Sequence, residues 1–200
     1  MAASLRFGDS GVNVRIVGGI YRSRQLKTLR GLALRPSSDR LRETLFNILG
    51  PAVRGSIFVD AYAGTGAVGI EAASRGAREV FFFENHKPAV ALIRKNLESL
   101  EIAGGISLLS TDVVRGLELL TGRRVHADFV FVDPPYAAHD EYERVLNALD
   151  RLPLLAPGGR VIVEHSKRWS PPDRLETLEC ERVVLLGDSK LSFYRLSMAA

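Results

Sequence analysis

An acid, two prolines and an aromatic, Asp133-Pro134-Pro135-Tyr136, stand directly after the apolar run 129–132. Proline has no amide hydrogen, so a strand that ends in two of them stops its ladder. Its carbonyls and the Asp133 carboxylate are then left to accept bonds from a ligand. Tyr136 adds a flat face for stacking. The four residues together make a clamp for a planar amine, with acceptors for its hydrogens and a surface for its ring.

A second constellation lies upstream. Gly64-Thr65-Gly66-Ala67-Val68-Gly69 spells GxGxxG between a strand-like run and a helix-like one, and Glu84 follows twenty residues after Gly64. This is the dinucleotide fingerprint, in which glycines permit a tight turn and the acid takes ribose hydroxyls. Charge separates the ligands that such a loop accepts. Asp60, four residues before Gly64, would repel a pyrophosphate. S-adenosylmethionine carries no phosphate and presents a sulfonium and an ammonium that a carboxylate stabilises. Asp60 therefore favours S-adenosylmethionine, while Glu84 serves either cofactor. Asp112 has two readings, an acceptor for an adenine amino group or a helix N-cap.

Placing these groups together requires a sheet. From residue 57 the pattern predicts strands over 57–61, 80–84, 106–110, 129–133 and 160–164. Helices over 67–75, 88–100, 113–120 and 141–149 fall between them, and a closing hairpin spans 181–186 and 191–196. Such alternation demands right-handed crossovers and a mostly parallel sheet covered on both faces, with ligands beyond the carboxyl ends of the strands. Asp60, Glu84 and Asp133 all fall at such ends. Ahead of this region, 14–20 and 25–29 read as a hairpin. Leu41, Leu45, Ile48 and Leu49 then repeat at helical spacing, with Asp39 in the first turn and Gly50-Pro51 as the stop.

Composition bounds the class of molecule. The 200 residues, 46% hydrophobic, suffice for one large α/β domain with a small appendage. Three segments are expected: a flexible start over 1–13, a basic hairpin and helix over 14–54, and a catalytic domain over 55–200. No apolar run approaches the ~20 residues of a membrane span, and no secretory signal is evident, so a cytoplasmic protein is expected. A single cysteine, Cys180, suits a reducing compartment and reads as a strand residue rather than a nucleophile. That weighs against a pyrimidine C5-methyltransferase, which needs an attacking thiolate. His86, His126, His139 and His165 show no ligand spacing, so no metal is expected. Residues 1–54 carry ten Lys/Arg against three acids, a net of +7, and the other 146 residues carry −3. This asymmetry points to a polyanion such as nucleic acid.

The D-x-Y-A-G-T-G turn of Asp60 to Gly66, with the DPPY strand end, resembles the class I S-adenosylmethionine-dependent amino-methyltransferases. The resemblance sharpens with Arg15-Ile16-Val17-Gly18-Gly19, with the run from Arg35-Pro36-Ser37-Ser38-Asp39-Arg40-Leu41-Arg42 to Glu43-Thr44-Leu45-Phe46-Asn47, with Gly69-Ile70-Glu71-Ala72 and with Phe193-Tyr194-Arg195. Together these are similar to the RsmD family, the 16S rRNA (guanine(966)-N2)-methyltransferases, from about residue 14 onward. Two departures stand out: Ser23 replaces an expected glycine in the hairpin, and residues 1–13 have no counterpart.

The resemblance implies a Rossmann-like, mostly parallel seven-stranded sheet with an antiparallel C-terminal hairpin, and S-adenosyl-L-methionine as cofactor. The cofactor is expected on Asp60, Tyr62, Ala63, Gly64, Thr65, Gly66, Glu84, Asn85, Asp112 and Val113. The expected partner is 16S rRNA within a small ribosomal subunit or assembly intermediate, bound by a monomer. Arg22, Arg24, Lys27, Arg35, Arg40 and Arg42 are expected on its phosphates.

Mechanistically, Asp133 and the Pro134 carbonyl would accept the amine hydrogens and aim the nitrogen lone pair at the methyl carbon. Pro135 and Tyr136 would hold the base. Asp133 either orients the amine or also takes its proton. DPPY alone also suits adenine N6 and cytosine N4, and the glycine loop alone also suits a nicotinamide-dependent oxidoreductase. Only the resemblance selects guanine N2.

Overall fold

A computed structural model of the chain describes residues 14–28, 38–135 and 138–197. The expectations for residues 1–13, Arg35 and Tyr136 lie outside these residues. The chain opens with β1 (Val14–Arg15) and β2 (Gln25–Leu26), followed by α1 (Asp39–Leu49) and a 3-10 turn at Gly50–Val53. The alternating region runs β3 (Ile57–Asp60), α2 (Ala67–Ser74), β4 (Glu79–Phe83), α3 (Lys87–Ser99), β5 (Ile106–Leu109), α4 (Val113–Gly122), β6 (Ala127–Val132), α5 (His139–Arg151) and β7 (Leu155–Ser166). It closes with the hairpin β8 (Leu178–Leu186) and β9 (Ser189–Leu196).

Seven strands form one sheet in the order β5-β4-β3-β6-β7-β9-β8, parallel from β5 to β7 and antiparallel at β9 and β8. This is the expected class. The order reverses between β3 and β6, which is where open α/β sheets leave a crevice at their carboxyl ends. Strand alternation sends side chains to two separate cores. Phe58, Phe82, Phe129, Phe131, Ile162 and Leu191 face α1, α2 and α3, while Val59, Phe81, Val130, Val132 and Val163 face α4 and α5.

Helix α1 shares the first of these cores, with the Phe46 ring stacked on Phe58 at 5.9 Å between centroids. It starts where expected because the Ser38 side chain caps the Leu41 amide. The N-terminal strands, by contrast, are far shorter than the pattern predicts. The backbone N–H groups of Val17 and Gly18 donate to the two carboxylate oxygens of Glu71 at 2.7 Å each. Those of Ile20 and Tyr21 donate to the backbone and side-chain oxygens of Ser74. A buried acid and a serine on α2 therefore take the donors that a strand ladder would have used. Ser23 sits at φ 68°, in the left-handed region where glycine is the unstrained residue.

Candidate active site

At the switch point lies a cleft of about 710 Å³, within the usual range of ligand sites. Nine of the ten expected cofactor residues line it; Gly66 does not. Gly66 instead caps α2 at φ 80°, and Gly69 allows the helix to lie against the Phe82 ring, which any Cβ there would strike. Asp133, Pro134 and Pro135 line the same cleft, so the two constellations meet as expected.

The strand-end acids do more than wait for a ligand. Asp60 is 1% exposed and its Oδ2 accepts from the Gly69 amide at 2.9 Å. Burial pushes its carboxyl up to about 7, against the lowering effect of that amide. Glu84 accepts from the Gly64 amide at 2.9 Å and from the His86 amide at 2.8 Å. Each carboxylate thus holds one end of the glycine turn, and its remaining lone pairs are what a cofactor would meet. Asp112 caps α4 through the Val114 amide and also receives both terminal nitrogens of Arg144, at 3.0 and 2.6 Å. The N-cap reading holds, and the guanidinium keeps this carboxyl below the usual range.

Arg144 was not legible as a site residue. It also donates to Glu141, which in turn accepts from the Tyr62 hydroxyl at 2.6 Å. Tyr62, Glu141, Arg144 and Asp112 thereby join the glycine turn, α5 and α4 along one wall of the cleft. Burial, with Glu141 beside it, pushes the Tyr62 hydroxyl up, so it remains a donor at neutral pH.

The opposite wall comes from sequence-distant pieces: Ser38 capping α1 and Leu41 within it, Glu164 near the end of β7, and Leu186 and Ser189 flanking the last turn. Glu164 carries the same signal that picked out Asp60, Glu84 and Asp133, an acid ending an apolar strand run, and should have been read with them. The Tyr142 hydroxyl lies 3.2 Å from the Pro134 carbonyl and 3.0 Å from that of Glu164, tying these two strand ends together. A carbonyl has two lone pairs, so Pro134 retains one for a ligand.

Among the residues expected on phosphate, Arg22, Arg24, Lys27 and Arg40 are exposed. Arg24 also donates to the Ser99 carbonyl at 3.0 Å. Arg42 is a correction: it is 1% exposed, and its guanidinium donates to Asp39 at 2.8 Å and to the Arg15 carbonyl. It fastens α1 to β1 and does not face a phosphate. Among the described residues no cluster of His, Cys, Asp and Glu is arranged to hold a metal, and no helix is long and apolar enough to cross a membrane.

Comparison with known proteins bears on the family and the fold. The family model described as "Conserved hypothetical protein 95" matches residues 14–195. Ribosomal RNA small subunit methyltransferase D of Haemophilus influenzae is 37% identical over 158 residues, 77% of this chain and 79% of that protein. The structure of yhhF from Escherichia coli matches with a TM-score of 0.80 at 29% identity, covering 94% of this chain and all of that one. The Thermus thermophilus 16S rRNA N2 methyltransferase RsmC, solved with AdoMet and guanosine, matches with a TM-score of 0.73 over 93% of this chain and 50% of that one. At 22% identity it shares the fold. The chain belongs to the RsmD family of S-adenosylmethionine-dependent methyltransferases.

Proposed function

We propose that this protein transfers the methyl group of S-adenosylmethionine to the N2 amine of a guanine in 16S rRNA, guanine 966. The observation that carries the reading is the single cleft joining the acid-anchored glycine turn to Asp133-Pro134-Pro135, in a chain 37% identical to a protein named for small-subunit rRNA methylation.

The amine of guanine is a weak nucleophile because its lone pair is delocalised into the ring. Asp133 and the Pro134 carbonyl accept its two hydrogens, which localises the lone pair on nitrogen and points it along the S–CH₃ axis. The new N–CH₃ bond forms as the S–CH₃ bond breaks, sulfonium becomes thioether, and one amine proton leaves to Asp133 or water. Holding the reacting atoms ~3–3.5 Å apart and in line supplies much of the acceleration. The target base must be unpaired or flipped to enter the cleft.

Exposed Arg22, Arg24, Lys27 and Arg40 form the phosphate contacts of the basic first quarter, a surface for rRNA within a small subunit or its assembly intermediate. The test is incubation with labelled cofactor and either naked 16S rRNA or small subunits lacking the modification, followed by identification of the labelled nucleoside. N2-methylguanosine at one position supports the reading. Label on an adenine or cytosine, or none on either substrate, contradicts it.

A further inference from the structure

The DPP strand end accepts an exocyclic amine but does not distinguish guanine N2 from adenine N6 or cytosine N4, since each base presents an amine. What differs is the neighbouring ring nitrogen. Guanine N1 carries a hydrogen beside the N2 amine, whereas adenine N1 and cytosine N3 present lone pairs beside theirs. A site that selects guanine therefore needs a second acceptor, placed next to the one that holds the amine.

Glu164 occupies such a position. Strands β6 and β7 run parallel with Val132 opposite Val163, so Asp133 and Glu164 are the next residues on adjacent strands, with backbones about 5 Å apart. They also share a face. Phe129 and Phe131 on β6 and Ile162 on β7 pack into the core beneath α1, and Asp133 and Glu164 continue the same alternation at the carboxyl edge. Both line the cleft. Glu164 is only 5% exposed, so a ligand group bonded to it would meet little competition from water. The Tyr142 hydroxyl, within reach of both the Pro134 and Glu164 backbone carbonyls, ties together the two strand ends that carry these acids.

We propose that Glu164 determines base specificity by accepting the N1–H of guanine while Asp133 and Pro134 hold N2. The inference rests on the guanine N2 reading above and deepens it. A carboxylate facing ring N1 rewards guanine with a charge-assisted hydrogen bond. It meets a lone pair on adenine or cytosine, leaving two acceptors opposed without a proton between them. Ser38, the N-cap of α1, and Leu41 within it line the same cleft, so the base edge would be read where the N-terminal segment meets the sheet.

The test uses small-subunit particles with either guanine or 2-aminopurine at the methylated position. 2-Aminopurine keeps the N2 amine and lacks the N1 hydrogen. Wild-type protein is expected to prefer guanine by about 100-fold or more in kcat/KM, as sites built to hydrogen-bond a substrate N–H do. Glu164→Gln, whose amide either accepts from guanine N1–H or donates to the bare N1 of 2-aminopurine, should lower guanine turnover about 30-fold and narrow the preference to about fivefold or less. Its affinity for S-adenosylmethionine should stay within about twofold of wild type, because no cofactor contact is removed.

Equal wild-type rates on the two bases overturn the proposal, whether or not the variant folds. A variant that loses both activities with the preference unchanged overturns it as well, since that is the signature of a structural role. N2-methylguanosine with an indifferent Glu164 refutes this inference alone. A methyl group found on adenine N6 refutes the guanine reading with it.

Discussion

The two walls of the cleft are built on different plans. On the glycine-turn wall, Asp60, Glu84 and Asp112 each bind backbone amides a few residues to some twenty residues away, at Gly69, Gly64 and Val114. The backbone of that wall is held by short-range bonds, and Tyr62 and Asp112 then tie it to Glu141 and Arg144 of α5. The opposite wall takes Ser38 and Leu41 from α1, Asp133 from β6, Glu164 from β7 and Ser189 from the last hairpin, so it exists only once the N-terminal extension and the C-terminal strands have docked. On the function proposed above, cofactor recognition would rest largely on turn chemistry and base recognition on tertiary assembly. Changes on the first wall should alter cofactor affinity, and changes on the second should alter turnover and RNA binding with cofactor affinity kept.

The largest separation is expected from Asp133→Ala. Loss of the amine acceptor should lower kcat about 1000-fold, with S-adenosylmethionine affinity by calorimetry within a few-fold of wild type. A matching loss of cofactor affinity would merge the two walls. Arg42→Ala attacks the docking of the extension. Removing a buried guanidinium that serves Asp39 and the Arg15 carbonyl should cost about 2–3 kcal/mol in chemical denaturation, whereas exposed Arg40→Ala should cost less than about 0.5 kcal/mol. Combined Arg22→Ala and Arg24→Ala should weaken RNA binding about tenfold and flatten its salt dependence by roughly 1.5–2 logarithmic units per decade. Unchanged RNA affinity would remove the extension from the binding surface.

Asp60 sharpens the comparison through pH. Its folded carboxyl lies near 7, above the ordinary carboxylate value, so the ligand-free fold holds a proton that the unfolded chain releases. Stability from this group is greatest at low pH and is lost as pH rises from about 4 to about 7. A cationic cofactor favours the ionised form, so S-adenosylmethionine affinity should rise about tenfold between about pH 6 and 8, and Asp60→Asn should flatten that profile. The smallest effect is expected at the hairpin tip. Ser23→Gly relieves the left-handed backbone and should raise stability by about 0.5 kcal/mol, leaving cofactor affinity unchanged.

The same division explains what was legible in the sequence. The glycine turn, the strand-end acids, the Ser38 cap and the alternation of strands and helices are set by neighbours within about one strand-helix-strand unit, and all appear where the pattern places them. The hairpin strands and Arg42 were misread because their partners are distant. Glu71 captures the Val17 and Gly18 amides across more than fifty positions, and Arg42 finds the Arg15 carbonyl across twenty-seven. Charge composition marked the first quarter as basic but gave no means of telling a solvated arginine from one that holds a helix. Glu164 was visible by the strand-end rule, yet its opposition to Asp133 depends on the register of β6 against β7, which no local pattern encodes.

A crystal structure with S-adenosylhomocysteine tests the division of the cleft most directly. The ribose hydroxyls are expected on Glu84, the amino-acid group beside Asp60, and the sulfur facing Asp133 across an open space bounded by Glu164, Ser38 and Leu41. An adenosyl group lodged against Glu164 and Ser189, with the glycine turn empty, would contradict that division.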